Sequence, residues 1–235
     1  MSCRTLTALP VYNEVDHVTA ALAGALCYSD EVLVIDDGST DGTSELLAGR
    51  DDIRLIAHPQ NRGYGAAVRS AFDFAVAGHY DVLVTIDCDG QHQPQLIPRF
   101  VETCQDVDIV SGSRYLRPYP GDSHPPEDRR RINRVLTEEL NRQLGLNLTD
   151  AFCGFKAYRT AALAQIDLTE TGYAMPLEFW VRAAQRNLKI VELPVPLIYL
   201  DQSRCFGGVL DDSQTRLAVY RRVLEASHAH EEEAA

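Results

Sequence analysis

Apolar runs at residues 6–10, 32–35, 53–56, 82–86 and 109–110 read as buried parallel strands. Helical patterns fill the gaps between the first four. Val18, Leu22, Ala25 and Leu26 share one helical face, and Val68, Ala71, Phe72, Ala75 and Val76 share another. This alternation predicts an α/β fold with a mostly parallel, doubly wound sheet flanked by helices. Ligands in such sheets bind beyond the carboxyl ends of the strands. Three of those ends are polar: Tyr12-Asn13-Glu14, Asp36-Asp37-Gly38 and Asp87-Cys88-Asp89. Three carboxylate-bearing tips on one edge are hard to explain as solvated turns.

After about residue 115 the pattern changes. Pro118, Pro120, Gly121, Pro125 and Pro126 mark a long, proline-rich loop of the kind that forms lids and binding segments. A basic helix is expected at about 129–144, then a Gly154-Phe155 segment, a helix near 176–186, an apolar stretch over 190–199 and a last helix near 212–226. There is no internal repeat and no interdomain linker.

Composition narrows the function classes. The chain has 235 residues, long enough for one sizeable α/β unit, and its 45% hydrophobic and 24% charged residues are those of a globular protein. No uncharged apolar run approaches the roughly 20 residues of a spanning helix, and the amino terminus lacks the apolar core of a signal peptide. A cytoplasmic protein with no transmembrane segment is expected. Six cysteines without a Cys-x-x-Cys pair point to neither a zinc site nor a redox motif. A net charge of −12 opposes non-specific adsorption to nucleic acid, which is not an expected partner. Arg129, Arg130, Arg131 and Arg134 depart from that average, with Arg114 and Arg117 upstream and an acidic tail at Glu231 to Glu233.

Asp87 and Asp89 offer hard oxygen ligands at a strand tip, where Mg²⁺ or Mn²⁺ can bridge protein and a diphosphate. A plain turn remains the alternative for that motif alone. An EF-hand is excluded, because Gly90 and Pro98 stand at positions four and twelve, whereas the loop needs Gly at about six and Glu at about twelve. Gly63 and Gly65 lack a third glycine at Rossmann spacing, and no Walker motif is present. They are expected to permit close packing at the start of a helix from Tyr64.

Taken together, several motifs resemble the family 2 glycosyltransferases of GT-A fold in order and spacing. They are Pro10-x-Tyr12-Asn13-Glu14, Asp36-Asp37-Gly38-Ser39-Thr40-Asp41-Gly42-Thr43, Asn61-Arg62-Gly63-Tyr64-Gly65, Asp87-x-Asp89 and Gly112-Ser113-Arg114-Tyr115. Within that family, Asp150-x-x-x-Gly154-Phe155-Lys156 and the arginine helix are similar to the polyprenyl-phosphate hexosyltransferases, the group of dolichol-phosphate mannose synthase. The resemblance covers roughly residues 5–205.

It implies a Rossmann-like GT-A sheet with a smaller acceptor-side extension. Residues 1–226 would form one catalytic domain, with a nucleotide-sugar half to about 115, an acceptor half over about 116–210, a C-terminal helix over 211–226 and a flexible tail at 227–235. The implied donor is a nucleoside-diphosphate sugar, of the GDP-mannose or UDP-glucose type. Pro10, Tyr12, Glu14, Asp36, Asp37 and Gly63 would line its pocket, with Arg62 beside them. Asp89 and Gln91 would hold Mg²⁺ or Mn²⁺ on the diphosphate, with Asp87 near the ribose, sugar or metal. The implied acceptor is a polyprenyl phosphate met by a peripheral protein at the cytosolic membrane surface. Arg114 and Arg129 would grip its phosphate, with Arg130, Arg131 and Arg134 as further candidates. A phosphate monoester is already dianionic near neutral pH, so an inverting attack needs no general base.

One departure matters. The family's late loop carries an Arg and then Gly-x-Ser-Lys, whereas Ser203-Arg204-Cys205-Phe206-Gly207-Gly208 lacks the Ser-Lys pair and leaves Arg204 as the surviving cation. His92 reads as a solvated loop residue. If the acceptor were a sugar hydroxyl instead, Asp150 or Glu178 would be the candidate base. A non-catalytic nucleotide-sugar binding module is a third reading.

Overall fold

The computed structural model describes residues 3–200 and 206–229. The chain begins with β1 (Thr5–Val11), α1 (Val18–Leu26), β2 (Val32–Asp36), a short α2 (Thr43–Leu47), β3 (Arg54–Ala57), α3 (Tyr64–Ala77) and β4 (Val82–Thr85). It continues through α4 (Ile97–Thr103), β5 (Ile109–Ser113), α5 (Glu127–Leu144), β6 (Lys156–Arg159), α6 (Thr160–Leu163), α7 (Met175–Gln185), β7 (Ile190–Pro194) and α8 (Ser213–Ala229). The described strands form one sheet in the order β3-β2-β1-β4-β6-β5-β7. Its pairs are parallel except those of β6, which runs antiparallel to both β4 and β5. The fold is therefore the expected mostly parallel α/β sheet flanked by helices, with one reversed strand.

Strand periodicity builds the two faces. Leu33, Ile35 and Leu83 enter the core cluster that packs α3, α5 and α7, while Val32, Val34, Val82 and Val84 enter the opposite cluster with α1 and α4. Central strands are buried on both sides, as parallel strands in α/β sheets must be. Edge strand β3 is mostly exposed and shows Arg54 and Leu55 to solvent.

Several expectations change on this frame. Helix α8 continues to Ala229, past the expected end at 226, and Glu231 to Glu233 lie outside the described residues. The proline-rich loop is strapped to the chain after β7 rather than free. Ser123 N–H donates to Leu197 O at 2.7 Å, Leu197 N–H to Asp122 Oδ1 at 2.8 Å, and Tyr119 OH to Pro194 O at 3.0 Å.

Glu178 is not placed to act as a base. It lies in the buried face of α7, 1% exposed, beside Phe179 and Trp180. Its carboxylate accepts hydrogen bonds from Thr169 N (2.9 Å), Thr169 Oγ1 (3.0 Å) and Glu170 N (2.7 Å), with Arg182 at 3.6 Å. This clamp holds the loop whose Thr171 carbonyl accepts Ala66 N–H at 3.1 Å. Any side chain at Gly63 or Gly65 would collide with that loop, so both glycines permit close packing as expected. Glu178→Ala should lower the unfolding free energy by about 3 kcal/mol in urea titration, because it strands buried amides and a guanidinium. A loss below about 1 kcal/mol would refute the clamp.

Candidate active site

The crevice beyond the carboxyl ends of β1, β2, β4 and β5 opens into a cavity of about 420 Å³. At one end, the tips of β1 and β2 are knitted together by local polar bonds. Asn13, at φ 54°, donates its N–H to Ser39 Oγ (2.9 Å) and accepts Thr40 N–H on Oδ1 (2.8 Å), and Glu14 N–H donates to Thr43 Oγ1 (2.9 Å). Pro10, Tyr12, Glu14, Asp37 and Gly63 line the cavity, as their motifs imply. Asp36 does not. Its buried carboxylate accepts Ser39 N–H at 3.0 Å and Ser44 Oγ–H at 2.5 Å, so it shapes the turn that presents Asp37. Asp41 accepts Thr43 N–H at 3.0 Å and caps the start of α2.

Asp87, Asp89 and Gln91 form the middle of the cavity wall. Reversal of β6 is what builds this region, because pairing of Thr85 with Lys156 carries Gly154 directly against the Asp87 carboxylate. A Cβ at Gly154 would occupy the space of the Asp87 oxygens. Tyr64 OH donates to Asp87 Oδ1 at 3.3 Å, and His92 Nε2 lies 3.1 Å from Oδ2. Burial alone would raise the Asp87 carboxyl, but His92, Lys156 and Arg114 hold it below the usual range. Asp89 moves the other way: burial, then the Asp87 charge, push it up. His92 is not a solvated loop residue. Its side chain is 4% exposed, packs 5.6 Å from the Phe155 ring, and has Nδ1 buried without a hydrogen-bond partner among the described residues.

The other end of the cavity is cationic. Arg114, at the tip of β5, lines it while making a bidentate pair with Asp150: Nε–Oδ2 is 2.6 Å and Nη2–Oδ1 is 2.9 Å. Asn133 Nδ2 adds a third bond to Asp150 at 2.7 Å, and Glu192 accepts the Thr149 and Asp150 amides. With its oxygens engaged and no exposed surface, Asp150 is a structural partner and not a base. Arg129, in the first turn of α5, lies over the rings of Tyr199 (5.9 Å) and Phe206 (4.7 Å).

Arg130, Arg131 and Arg134 are exposed on the outer face of α5, outside the cavity lining. Arg204 lies outside the described residues. Arg216 was not expected: it reaches from α8 to the Phe206 ring and the cavity lining, 3% exposed, bonded to Leu210 O (2.7 Å) and Asp128. An arginine inside an otherwise ordinary helical pattern gives no sequence signal of such a place.

The Arg114–Asp150 pair gives a pH test. Burial would raise the Asp150 carboxyl, but the Arg114 charge and the bonds from Arg114 and Asn133 outweigh it and hold the value below the usual range. A folded value below the unfolded one means stabilisation present above about 3.9 and lost as pH falls through the folded value. The urea-unfolding stability gap between wild type and Asp150→Asn should therefore be widest at neutral pH and shrink below about pH 4. A gap unchanged down to about pH 2 would falsify that assignment.

Comparison with known proteins bears on this geometry. The model of glycosyl transferase family 2 matches residues 7–167. An undecaprenyl-phosphate mannosyltransferase of Micrococcus luteus is 35% identical over 224 residues, covering 89% of this chain and 90% of its own. A polyprenol monophosphomannose synthase of Mycolicibacterium smegmatis is 32% identical over 207 residues, covering 82% and 76%. Glucosyl-3-phosphoglycerate synthase from Mycobacterium tuberculosis, solved with Mn²⁺, UDP and glucosyl-3-phosphoglycerate, has the same fold. It matches with a TM-score of 0.70 at 20% identity over 96% of this chain and 78% of that one. The family match spans the three polar strand tips, the Asp87–Asp89 pair, Arg114 and Arg129, and on it this chain belongs to glycosyl transferase family 2.

Proposed function

We propose that the protein moves a hexose from a nucleoside-diphosphate sugar to a polyprenyl phosphate, with inversion and with Mg²⁺ or Mn²⁺. The observation that carries this reading is one cavity whose lining joins carboxylates and an amide (Asp37, Asp87, Asp89, Gln91) to arginines (Arg114, Arg129). The names of the relatives from Micrococcus luteus and Mycolicibacterium smegmatis, an undecaprenyl-phosphate mannosyltransferase and a polyprenol monophosphomannose synthase, support it.

The donor's nucleoside lies against Pro10 and Tyr12, with Glu14 and Asp37 as acceptors for its N–H or hydroxyl groups. Asp87, Asp89 and Gln91 would hold the cation. They are two hard carboxylates and an amide, crowded enough that burial and Asp87 push Asp89 up, and a divalent ion relieves that repulsion. When bound, such an ion stabilises charge on the departing nucleoside diphosphate as a Lewis acid. Tyr64, His92 and Gly154 keep the Asp87 oxygens turned toward the cavity. Arg129 receives the acceptor phosphate with its planar fork, stacked on aromatic rings that limit its movement. The phosphate oxygen, dianionic near neutral pH, attacks the anomeric carbon from the side opposite the leaving group. No protein base is required, and neither Asp150 nor Glu178 is free to be one.

The test is transfer from radiolabelled GDP-mannose and UDP-glucose to a short-chain polyprenyl phosphate in detergent. Transfer from one of them should vanish in EDTA and return with Mn²⁺. Asp89→Asn should lower kcat by at least roughly 100-fold, equivalent to about 3 kcal/mol. Arg129→Ala should raise the acceptor KM roughly tenfold with donor KM unchanged, as loss of a charged hydrogen bond implies. Full activity in EDTA and in Asp89→Asn would sink the reading.

A further inference from the structure

The tip of β3 bears a histidine. His58 follows Ala57 directly and is buried although β3 is an exposed edge strand. Its main-chain N–H donates to Asp36 O at 2.8 Å, which fixes the backbone beside the β2 tip. The ring is then held at both nitrogens. Nδ1 lies 2.5 Å from Asp37 Oδ1, and Nε2 lies 2.9 Å from Ser70 Oγ on α3.

A buried histidine between two polar partners is most often a core residue satisfying its own hydrogen bonds. Its partner makes this one different. Asp37 faces the donor end of the cavity, and its carboxylate also accepts Arg62 N–H (3.0 Å) and Gly63 N–H (2.8 Å). An ionised carboxylate has about four acceptor positions. His58, Arg62 and Gly63 supply three donors, so about one position is left for a ligand. Which position that is depends on how the carboxylate is rotated. Two main-chain amides on a short loop do not fix that rotation alone, whereas a ring clamped at its far side by α3 does.

We propose that His58 is a positioning residue of the donor site, which sets the Asp37 carboxylate and the Arg62–Gly63 amides through an Nδ1–H donor. The inference rests on the donor-site reading given above. His58 does not line the cavity, so it acts through Asp37 and not on the reacting atoms. Loss of its donor should weaken nucleotide binding and leave the transfer step of the saturated enzyme in place. A residue that served only stability would lower the melting temperature without separating these two quantities.

The test measures binding of GDP and of UDP, each with Mn²⁺, by calorimetry, together with transfer kinetics and thermal unfolding. The variants are His58→Leu, His58→Asn and His58→Gln. The Asn amide nitrogen overlies Nδ1 and keeps the donor to Asp37, whereas the Gln amide reaches toward Ser70 and loses it. For the nucleotide that the wild type binds, His58→Leu and His58→Gln should weaken binding about tenfold, the worth of one charge-assisted hydrogen bond. Donor KM should rise in parallel, with kcat and acceptor KM within about threefold of wild type. His58→Asn should recover binding to within about threefold of wild type. If His58→Leu does not fold, the Asn and Gln pair decides alone. Equal binding by Asn and Gln variants, or a fall in kcat at unchanged donor affinity, overturns the proposal. Failure of the wild type to bind either nucleotide overturns the donor-site reading and this inference with it, whereas binding unaffected in every variant overturns this inference only.

Discussion

Arg114 and Asp150 meet in the interior at 2.6 and 2.9 Å, the carboxylate fully buried and the guanidinium nearly so. Desolvating two charges costs several kcal/mol per ion, and their attraction offsets it only when the remaining hydrogen-bonding positions are filled. Here they are filled from three directions. Asn133 comes from α5, Phe152 N–H from the segment before β6, and Glu192 of β7 holds the Thr149 and Asp150 amides from behind. One ion pair thus ties the tip of β5, helix α5 and the segment before β6. The segment it anchors contains Gly154, so the position of the Asp87 carboxylate depends on the same pair. The carboxylate wall and the arginine end of the cavity share a foundation.

That foundation explains the electrostatics. Asp87 and Asp89 stand one residue apart in a part-buried wall, and their shifts diverge because the His92 hydrogen bond and the His92, Lys156 and Arg114 charges outweigh burial at Asp87, whereas at Asp89 burial and the Asp87 charge outweigh the pull of His92, the Gln91 amide and Arg114. Lys156 contributes from below. It is buried, donates to Cys153 O, lies 5.5 Å from the Trp180 ring, and burial pulls its own value down. A buried ammonium beneath a carboxylate pair is expensive as stability alone. It makes sense where negative charge must be gathered at one wall, as a diphosphate and its cation require. A net charge of −12 therefore describes the surface, while the cavity runs from acid to base.

Much of this was legible in the chain because the strands that hold the site are buried on both faces. Val32 to Ile35 and Val82 to Val84 leave no ambiguity as apolar runs, and the polar residue after each falls at the sheet edge. What was not legible has a common physical cause: partners distant in sequence. Strand β6 has four residues, Lys156 to Arg159, and is a strand only because β4 and β5 flank it. Glu178 looked available because its amide partners lie in a loop before its helix, outside any helical spacing. Asp36 and Asp37 are adjacent and chemically identical, and strand alternation sends one into the turn and the other to the cavity. His92 looked solvated because Phe155, the ring packed against it, is distant in sequence.

The late loop shows the same principle in reverse. The Ser-Lys pair that the resemblance implies is missing after Arg204, which from sequence puts the contact to the diphosphate in doubt. In the fold, Arg216 of α8 brings a further cation to the cavity lining, its guanidinium and that of Arg129 each 4.7 Å from the centre of the Phe206 ring. Arg216 is not an equivalent cation, because Asp128 already pairs with it. Its charge is spent holding the first turn of α5, where Asp128 precedes Arg129, and its second contact to Leu210 O pins the turn after Phe206. Two guanidiniums each 4.7 Å from the centre of one ring repel each other, and Asp128 offsets that repulsion by pairing with the buried one. Arg129, in the cavity lining, is therefore braced through Asp128 and Phe206 by an arginine on another helix, which itself reaches the same lining.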